Sequence, residues 1–218
     1  MAGTEPADTS IHQGSGPLLQ LIAAGLQVWI RSQCEAVESL ELQLHGTAIQ
    51  LLRGRLEGIT LMARRVVYQE LQIELVQLRS DPLQLRLGQV LKGEPIRLDH
   101  PFLVRGQVAF TAAGLSGSLV RPRWQLLADF LGEQLLGLSP LKGLRIVRDT
   151  LVFTAQAAGE SRLMELETRP EAIAGSLGIL SLDGDLRLRL PMDPNIRLET
   201  ANLEGGMLQL HGEAQVTP

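Results

Sequence analysis

The sequence predicts an α+β fold: an elongated, curled antiparallel β-sheet or barrel, with a long N-terminal helix packed along it and a second helical region mid-chain. Three observations predict it. Apolar residues keep helical spacing from Pro17; from Leu40 their period drops to two; near Ala112 helical spacing returns before the alternation resumes. A chain of 218 residues is long enough for one such domain, expected over 17–218. It can bury roughly 70% of its unfolded surface and needs no disulfide or metal to hold it.

Residues 1–16 are small and polar and read as a disordered tail. They carry Glu5 and Asp8 but no Lys or Arg, unlike the positive start of a secretory signal. Pro17 suits the first turn of a helix, where its missing N–H costs nothing. That helix is expected to run to about Glu38, with Leu18, Ile22, Leu26 and Trp29 on one stripe and Leu19, Leu21, Ala24 and Val28 widening it. The apolar stretch Pro17–Ile30 is shorter than the ~20 residues of a spanning helix and is interrupted by Gln20 and Gln27. The expectation is a chain placed in the cytoplasm, or peripherally on the inner face of a membrane.

Strands follow. Leu40, Leu42 and Leu44 alternate with Glu41, Gln43 and His45; Ile59, Leu61 and Ala63, then Leu71, Ile73 and Leu75, then Leu83, Leu85 and Leu87 repeat the pattern. Phe102, Val104, Val108 and Phe110 share a face opposite Arg105 and Gln107. Such alternation marks half-buried antiparallel strands. The second helical region spans roughly Ala112 to Leu138, broken by Pro122, with Trp124, Leu127, Leu131 and Leu135 on its buried stripe. Strands resume at Leu144–Ala157, Arg162–Thr168, Ile179–Leu190, Ile196–Leu203 and Met207–Val216, with turns at Asp183-Gly184, Pro194-Asn195 and Gly205-Gly206. Leu-Gln-Leu-His-Gly occurs at Leu42–Gly46 and at Leu208–Gly212, but no fixed period supports a duplication.

So many one-sided strands present more apolar face than two helices can cover. Either the sheet curls into a tube filled by its own side chains, or it leaves an apolar groove for a ligand. Aromatic residues are only 3% of the chain, so Leu builds most of that face.

Chemistry-bearing constellations are sparse. His12, His45, His100 and His211 are scattered, and no Cys or His pair has metal-ligand spacing. Cys34 has no partner for a disulfide and reads as a structural thiol. Gly114-Leu-Ser-Gly-Ser118 lacks the second glycine of a nucleophile elbow. Asp183-Gly184-Asp185 is too short for a calcium loop, and no phosphate-binding glycine motif is present. The chain therefore reads as non-enzymatic, without a cofactor. A net charge of −4 and no interleaving of aromatic with basic residues argue against nucleic acid. Two basic sites stand out: Arg64-Arg65, expected in a hairpin loop, and Arg121-Pro-Arg123-Trp124 at a helix start. Guanidinium forks suit phosphates, and an indole favours a water–hydrocarbon boundary. Solvated arginines and a core tryptophan are the plainer reading of both.

The runs Trp29–Leu40 (WIRSQCEAVESL), Gly54–Ala63 (GRLEGITLMA), Leu71–Leu78 (LQIELVQL) and Ile196–Pro218 (IRLETANLEGGMLQLHGEAQVTP) resemble, in this order, the LmeA-like family of bacterial lipid-binding proteins, particularly its branch without a secretion signal. The likeness covers nearly everything after the tail and rests on patterns of Leu and Gly. It implies an antiparallel β-structure with a long helix along it, phospholipid or another apolar ligand in an apolar interior, and no catalytic residues. On that implication, acyl chains would pack against Leu61, Ile73, Val104 and Leu188, with Leu26 and Trp29 of the helix as wall or lid. Arg64, Arg65, Arg121 and Arg123, with Trp124, would meet the head group or the bilayer surface. The alternative function is a scaffold or assembly factor that docks a protein partner through its apolar helix. An enzyme acting on lipid or glycan ranks third.

Overall fold

A computed structural model describes residues 16–84, 100–157, 159, 162–182 and 187–217. The expected tail up to residue 15, the Leu85–Leu87 alternation and the Asp183-Gly184 turn lie outside the described residues.

Helix α1 (Pro17–Gln33) starts on Pro at its first position, as expected, but ends five residues before Glu38. Sheet pairing wins over helical spacing there. The Glu35 N–H donates to the Val67 carbonyl at 2.9 Å, and from Ala36 the chain pairs along Gly58–Val67. Strand β1 (Ala36–His45) leads to a short helix α2 (Ala48–Leu52), which the Thr47 and Gln50 side chains cap reciprocally. Strands β2 (Arg55–Leu56) and β5 (Leu83–Gln84) form a small two-stranded sheet.

The larger sheet adds β3 (Gly58–Tyr68), β4 (Leu71–Ser80), β6 (Phe102–Thr111), β12 (Ile196–Glu204) and β13 (Met207–Val216), in the order β1-β3-β4-β6-β13-β12. All its neighbours are antiparallel, and β1 and β12 remain its two edges, so it is curled but not a closed barrel. Register aligns Leu42, Leu61, Leu78, Gly106, Gly212 and Leu198 across all six strands. The two glycines are required at that row: a Cβ on Gly106 would lie 1.9 Å from the Gln77 carbonyl oxygen, and one on Gly212 would lie 2.3 Å from that of Arg197. A β-bulge between Leu198 and Thr200 falls at the same place, and such bulges add twist.

Arg64 and Arg65 are not in a hairpin loop. They sit inside β3, whose hairpin to β4 turns instead at Gln69 and Glu70, both at positive φ. Arg65 itself has φ 47°, so alternation slips by one residue: both arginines are exposed, and Val66 is buried with Ala63 in one cluster. That slip explains why a double arginine here resembles a loop in sequence.

The mid-chain helical region breaks at Pro122 as expected, into α3 (Ala112–Leu119), a 3-10 turn (Pro122–Trp124) and α4 (Gln125–Leu136), stopped by left-handed Gly137. The second sheet runs, in order across it, Arg187–Arg189, Ser176–Ser181, Leu163–Ile173, Thr150–Gln156 and Leu141–Val147. The run expected as one strand, Leu144–Ala157, is a hairpin of β7 (Leu141–Val147) and β8 (Thr150–Gln156), turning at Arg148 with φ 55°. β9 (Leu163–Ile173) is longer than expected, followed by β10 (Ser176–Ser181) and β11 (Arg187–Arg189). The sheets meet where the Leu198 N–H donates to the Gly175 carbonyl at 2.8 Å, at the β9–β10 turn.

Candidate functional site

The inward face of the six-stranded sheet carries one apolar track, built from clusters that share members. At one end Leu19 of α1 and Leu51 of α2 pack with Leu42, Leu44, Leu56 and Leu83. Ile30 and Leu61 link that cluster to Leu40, Ala63 and Val66. Ile73 links this second cluster to Phe110, Leu208 and Leu210. Leu115 and Leu177 carry the contacts on to Leu131, Leu151, Phe153 and Ile179, between the second sheet and helices α3 and α4. The middle of the track is only half covered: Ile59, Leu61, Ile73, Val76, Leu78, Val104 and Val108 are all partly exposed.

At its far end the track opens into a cavity of about 200 Å³ whose lining exposes apolar atoms only. α3 and α4 roof it with Leu115, Leu119 and Leu127, the second sheet contributes Leu151 and Phe153, and Leu208 and Leu210 come from the first. Space that size exceeds the roughly 150 Å³ at which an apolar cavity stays dry and accepts a small hydrocarbon. It is smaller than the ~300–1,000 Å³ of a whole-ligand pocket. The chamber matches part of an amphiphile, not all of one.

The roof is tied down by polar contacts at its edges. Gly114 and Gly117 let α3 approach Gln72, whose N–H donates to Ser118 Oγ at 2.9 Å. Ser118 Oγ in turn donates to the Gly114 carbonyl, and Ser116 bridges the Leu144 carbonyl and N–H. Both serines of the Gly-Leu-Ser-Gly-Ser segment are thus hydrogen-bonded to backbone. The 3-10 turn is latched to the β3–β4 hairpin. Trp124 Nε1 donates to the Gln69 carbonyl at 2.8 Å, the Arg123 N–H to Glu70 Oε2 at 3.1 Å, and the Arg123 guanidinium to Gln69 Oε1 at 2.7 Å. The Glu70 N–H continues the chain to the Glu35 carboxylate.

The residues singled out from sequence spread along this track. Leu26 packs in the α1 cluster, Leu61 and Ile73 are its links, Val104 is half-buried on β6, and Leu188 is buried at the cavity end. Of them only Trp124 lines the cavity. Trp29 is 60% exposed on the flank of α1 and packs in none of these clusters. Arg121 and Arg123 are exposed beside Trp124 and, like Arg64, form no ion pair among the described residues. Arg65 is paired with Glu38, whose carboxyl that hydrogen bond holds below its usual range. Cys34 is partly buried against the second cluster; burial, then the neighbouring Glu35 charge, pushes its thiol up and makes it a poorer nucleophile.

Sequence reasoning missed most of the cavity wall. The signal was present in Leu151–Ala155, where five successive residues are buried: a strand covered on both faces reads as a continuous run, not an alternation. The sheet's other face bears an open groove of about 530 Å³ along Met62, Gln77, Gln107 and His211. Arg105 there is neutralised by Asp81 at 2.6 Å and Glu213 at 3.5 Å, and the groove offers an amphiphile no enclosure. Among the described residues no group of His, Cys, Asp and Glu could hold a metal ion, and no helix is long and apolar enough to cross a membrane.

A family model described as LmeA-like phospholipid-binding matches residues 14–213, nearly the whole chain. No curated protein and no solved structure matches.

Proposed function

This chain belongs to the LmeA-like phospholipid-binding family, and we propose that it holds a phospholipid with one acyl chain in the chamber under α3 and α4. The half-covered track along Leu61, Ile73, Val76 and Val108 gives the remaining hydrocarbon a surface to lie on. Arg121 and Arg123, beside the indole that closes the chamber, take the phosphate. The observation that carries this reading is the purely apolar lining of the chamber, continuous with the half-exposed apolar track. A hydrocarbon tail gains there without stranding any polar group, whereas a polar ligand would lose its hydration uncompensated.

The test is native mass spectrometry of gently purified protein, wild type and Leu115→Phe. Leu115 touches both flanking clusters and lines the chamber, so the added ring occupies the space an acyl chain would use. Wild type should carry a phospholipid mass adduct, and the variant should fold yet lose it. Wild type free of lipid, with no uptake from anionic vesicles, overturns the reading. Arg121→Gln with Arg123→Gln should lower the preference for anionic over zwitterionic lipid about fivefold per arginine, at roughly 1 kcal/mol per basic residue near an anionic surface.

A further inference from the structure

Helix α1 is apolar on two sides. Leu19, Ile22, Ala23, Leu26 and Ile30 face the sheet cluster. The opposite side leaves Leu21 71% exposed and Val28 68%, with Ala24 and Gly25 exposed beside them, and Trp29, on the flank next to Ile22, is 60% exposed. α2, which packs against α1, extends the surface with Ile49 at 64% exposed and Leu52 at 67%. Single exposed apolar side chains are ordinary, but five large ones on two adjoining helices form a patch that calls for a partner.

Charge indicates which partner. From Gly16 to Cys34 the only charged residue is Arg31, and from Gly46 to Leu56 the only ones are Arg53 and Arg55. In a chain of net charge −4, α1 and α2 with the turn from α2 into β2 carry three positive charges and no acid. Of the carboxylates nearest in sequence, Glu35 turns to the Glu70 N–H of the β3–β4 hairpin, and Glu57 stands beside α2 as an acceptor from Gln50 Nε2. An apolar helical face with a boundary-seeking indole and a rim of three arginines against one carboxylate, Glu57, fits an anionic bilayer, with the helix lying in the interface plane.

We infer that the outer face of α1 and α2 docks this protein on the surface of an anionic phospholipid bilayer, with Leu21, Val28, Trp29, Ile49 and Leu52 entering the interface and Arg31, Arg53 and Arg55 facing the lipid phosphates. The inference rests on the phospholipid-binding reading and adds where the protein meets its lipid source. α1 then has two roles: its inner side starts the apolar track that ends in the chamber, and its outer side touches the bilayer. A lipid passing beside α1 would move from one hydrocarbon surface onto another.

The experiment is vesicle flotation of the full chain with phosphatidylcholine alone and with phosphatidylcholine containing phosphatidylglycerol. Wild type should float with the anionic vesicles and release as salt is raised. Leu21→Gln with Val28→Gln should cut partitioning at least about tenfold, since the two side chains lose most of their transfer energy. Arg53→Gln with Arg55→Gln should cut it about fivefold per arginine on anionic vesicles and leave the weak binding to phosphatidylcholine unchanged. Tryptophan emission should shift to the blue on adding anionic vesicles, and Trp29→Phe should remove that shift. The two readings fail separately. Leu115→Phe should still float while carrying no lipid, and the Leu21/Val28 variant should keep its lipid adduct without floating. Flotation that survives the Leu21/Val28 substitutions overturns the docking surface. So does a co-purifying protein that those substitutions release from a chain with no vesicle affinity, which would make the face a protein interface.

Discussion

Stripping lipid from the purified protein should lower its stability by an amount the chamber sets. An apolar space of about 200 Å³ that no side chain fills, at ~24 cal/mol per Å³ of cavity, costs about 5 kcal/mol relative to the filled state. That is an upper bound, because walls relax inward and a second acyl chain gains less on the open track. For a chain of this length each kcal/mol moves Tm by about 2–4 °C, so lipid-loaded protein should melt as much as about 10–20 °C above the lipid-free form. The shift should grow with lipid concentration, since a ligand that binds only the native state stabilises by mass action. The assay is differential scanning calorimetry of protein delipidated on a hydrophobic resin, then titrated with a short-chain phosphatidylglycerol below its micelle threshold. Leu115→Phe serves as the internal control. If its ring enters the chamber, the delipidated variant melts at or above delipidated wild type and responds little to lipid. If the space is closed by side chains in solution, the same ring overpacks the core, costs about 1–3 kcal/mol, and leaves the lipid response intact. That second pattern, or a wild-type Tm indifferent to saturating lipid, would refute the reasoning.

Four further expectations test the scaffold around the site. Gly106→Ala should destabilise by about 3 kcal/mol or more in urea titrations, because the new methyl meets strand backbone that no rotamer change can relieve; a neutral effect would show that β4 and β6 are not so close. Ser118→Ala should cost about 1–3 kcal/mol by leaving the Gln72 N–H unpaired under α3, read from the urea midpoint at unchanged m-value. Thr47→Ala should cost about 1 kcal/mol through the lost cap of α2, and hydrogen exchange at Leu51 should report it first. Cys34 should react with Ellman's reagent more slowly than free cysteine at pH 8. Its pKa is raised by burial and then by Glu35, so at any given pH less of it is thiolate. A rate above that of the free amino acid would contradict the burial.

Where one physical signal dominated, the elements were legible in the sequence. Leu40, Leu42 and Leu44 lie on one buried face because a half-covered strand has period two, and Pro17 and Pro122 mark helix boundaries because proline lacks the donor a helix interior needs. Errors came where two signals competed. Ala36–Glu38 could extend α1 by local spacing, yet pairing with Val66 and Val67 across the sheet outweighs it. Arg64-Arg65 has loop composition, yet a single positive φ lets both arginines stay in β3. The chamber was hardest to foresee, since its walls come from α3, α4 and strands of two sheets that are distant in sequence. Only the topology brings Leu119, Phe153 and Leu208 together.

The pattern of burial along the track bears on function as well as fold. A core selected for stability alone would gain by covering Leu61, Leu78, Val104 and Val108, each of which stays partly exposed. The chain has the means to do so: α1 spends apolar residues on an outward face where they contribute nothing to the core, and α2 turns Ile49 and Leu52 the same way. Apolar side chains are thus placed in excess on the outside of the helices and left under-covered on the inside of the sheet. One hydrophobic partner that is both a surface and a small molecule accounts for the two departures together, and a phospholipid is such a partner. A protein ligand docking on α1 would account for the outer face alone and leave the chamber beneath α3 and α4 unexplained.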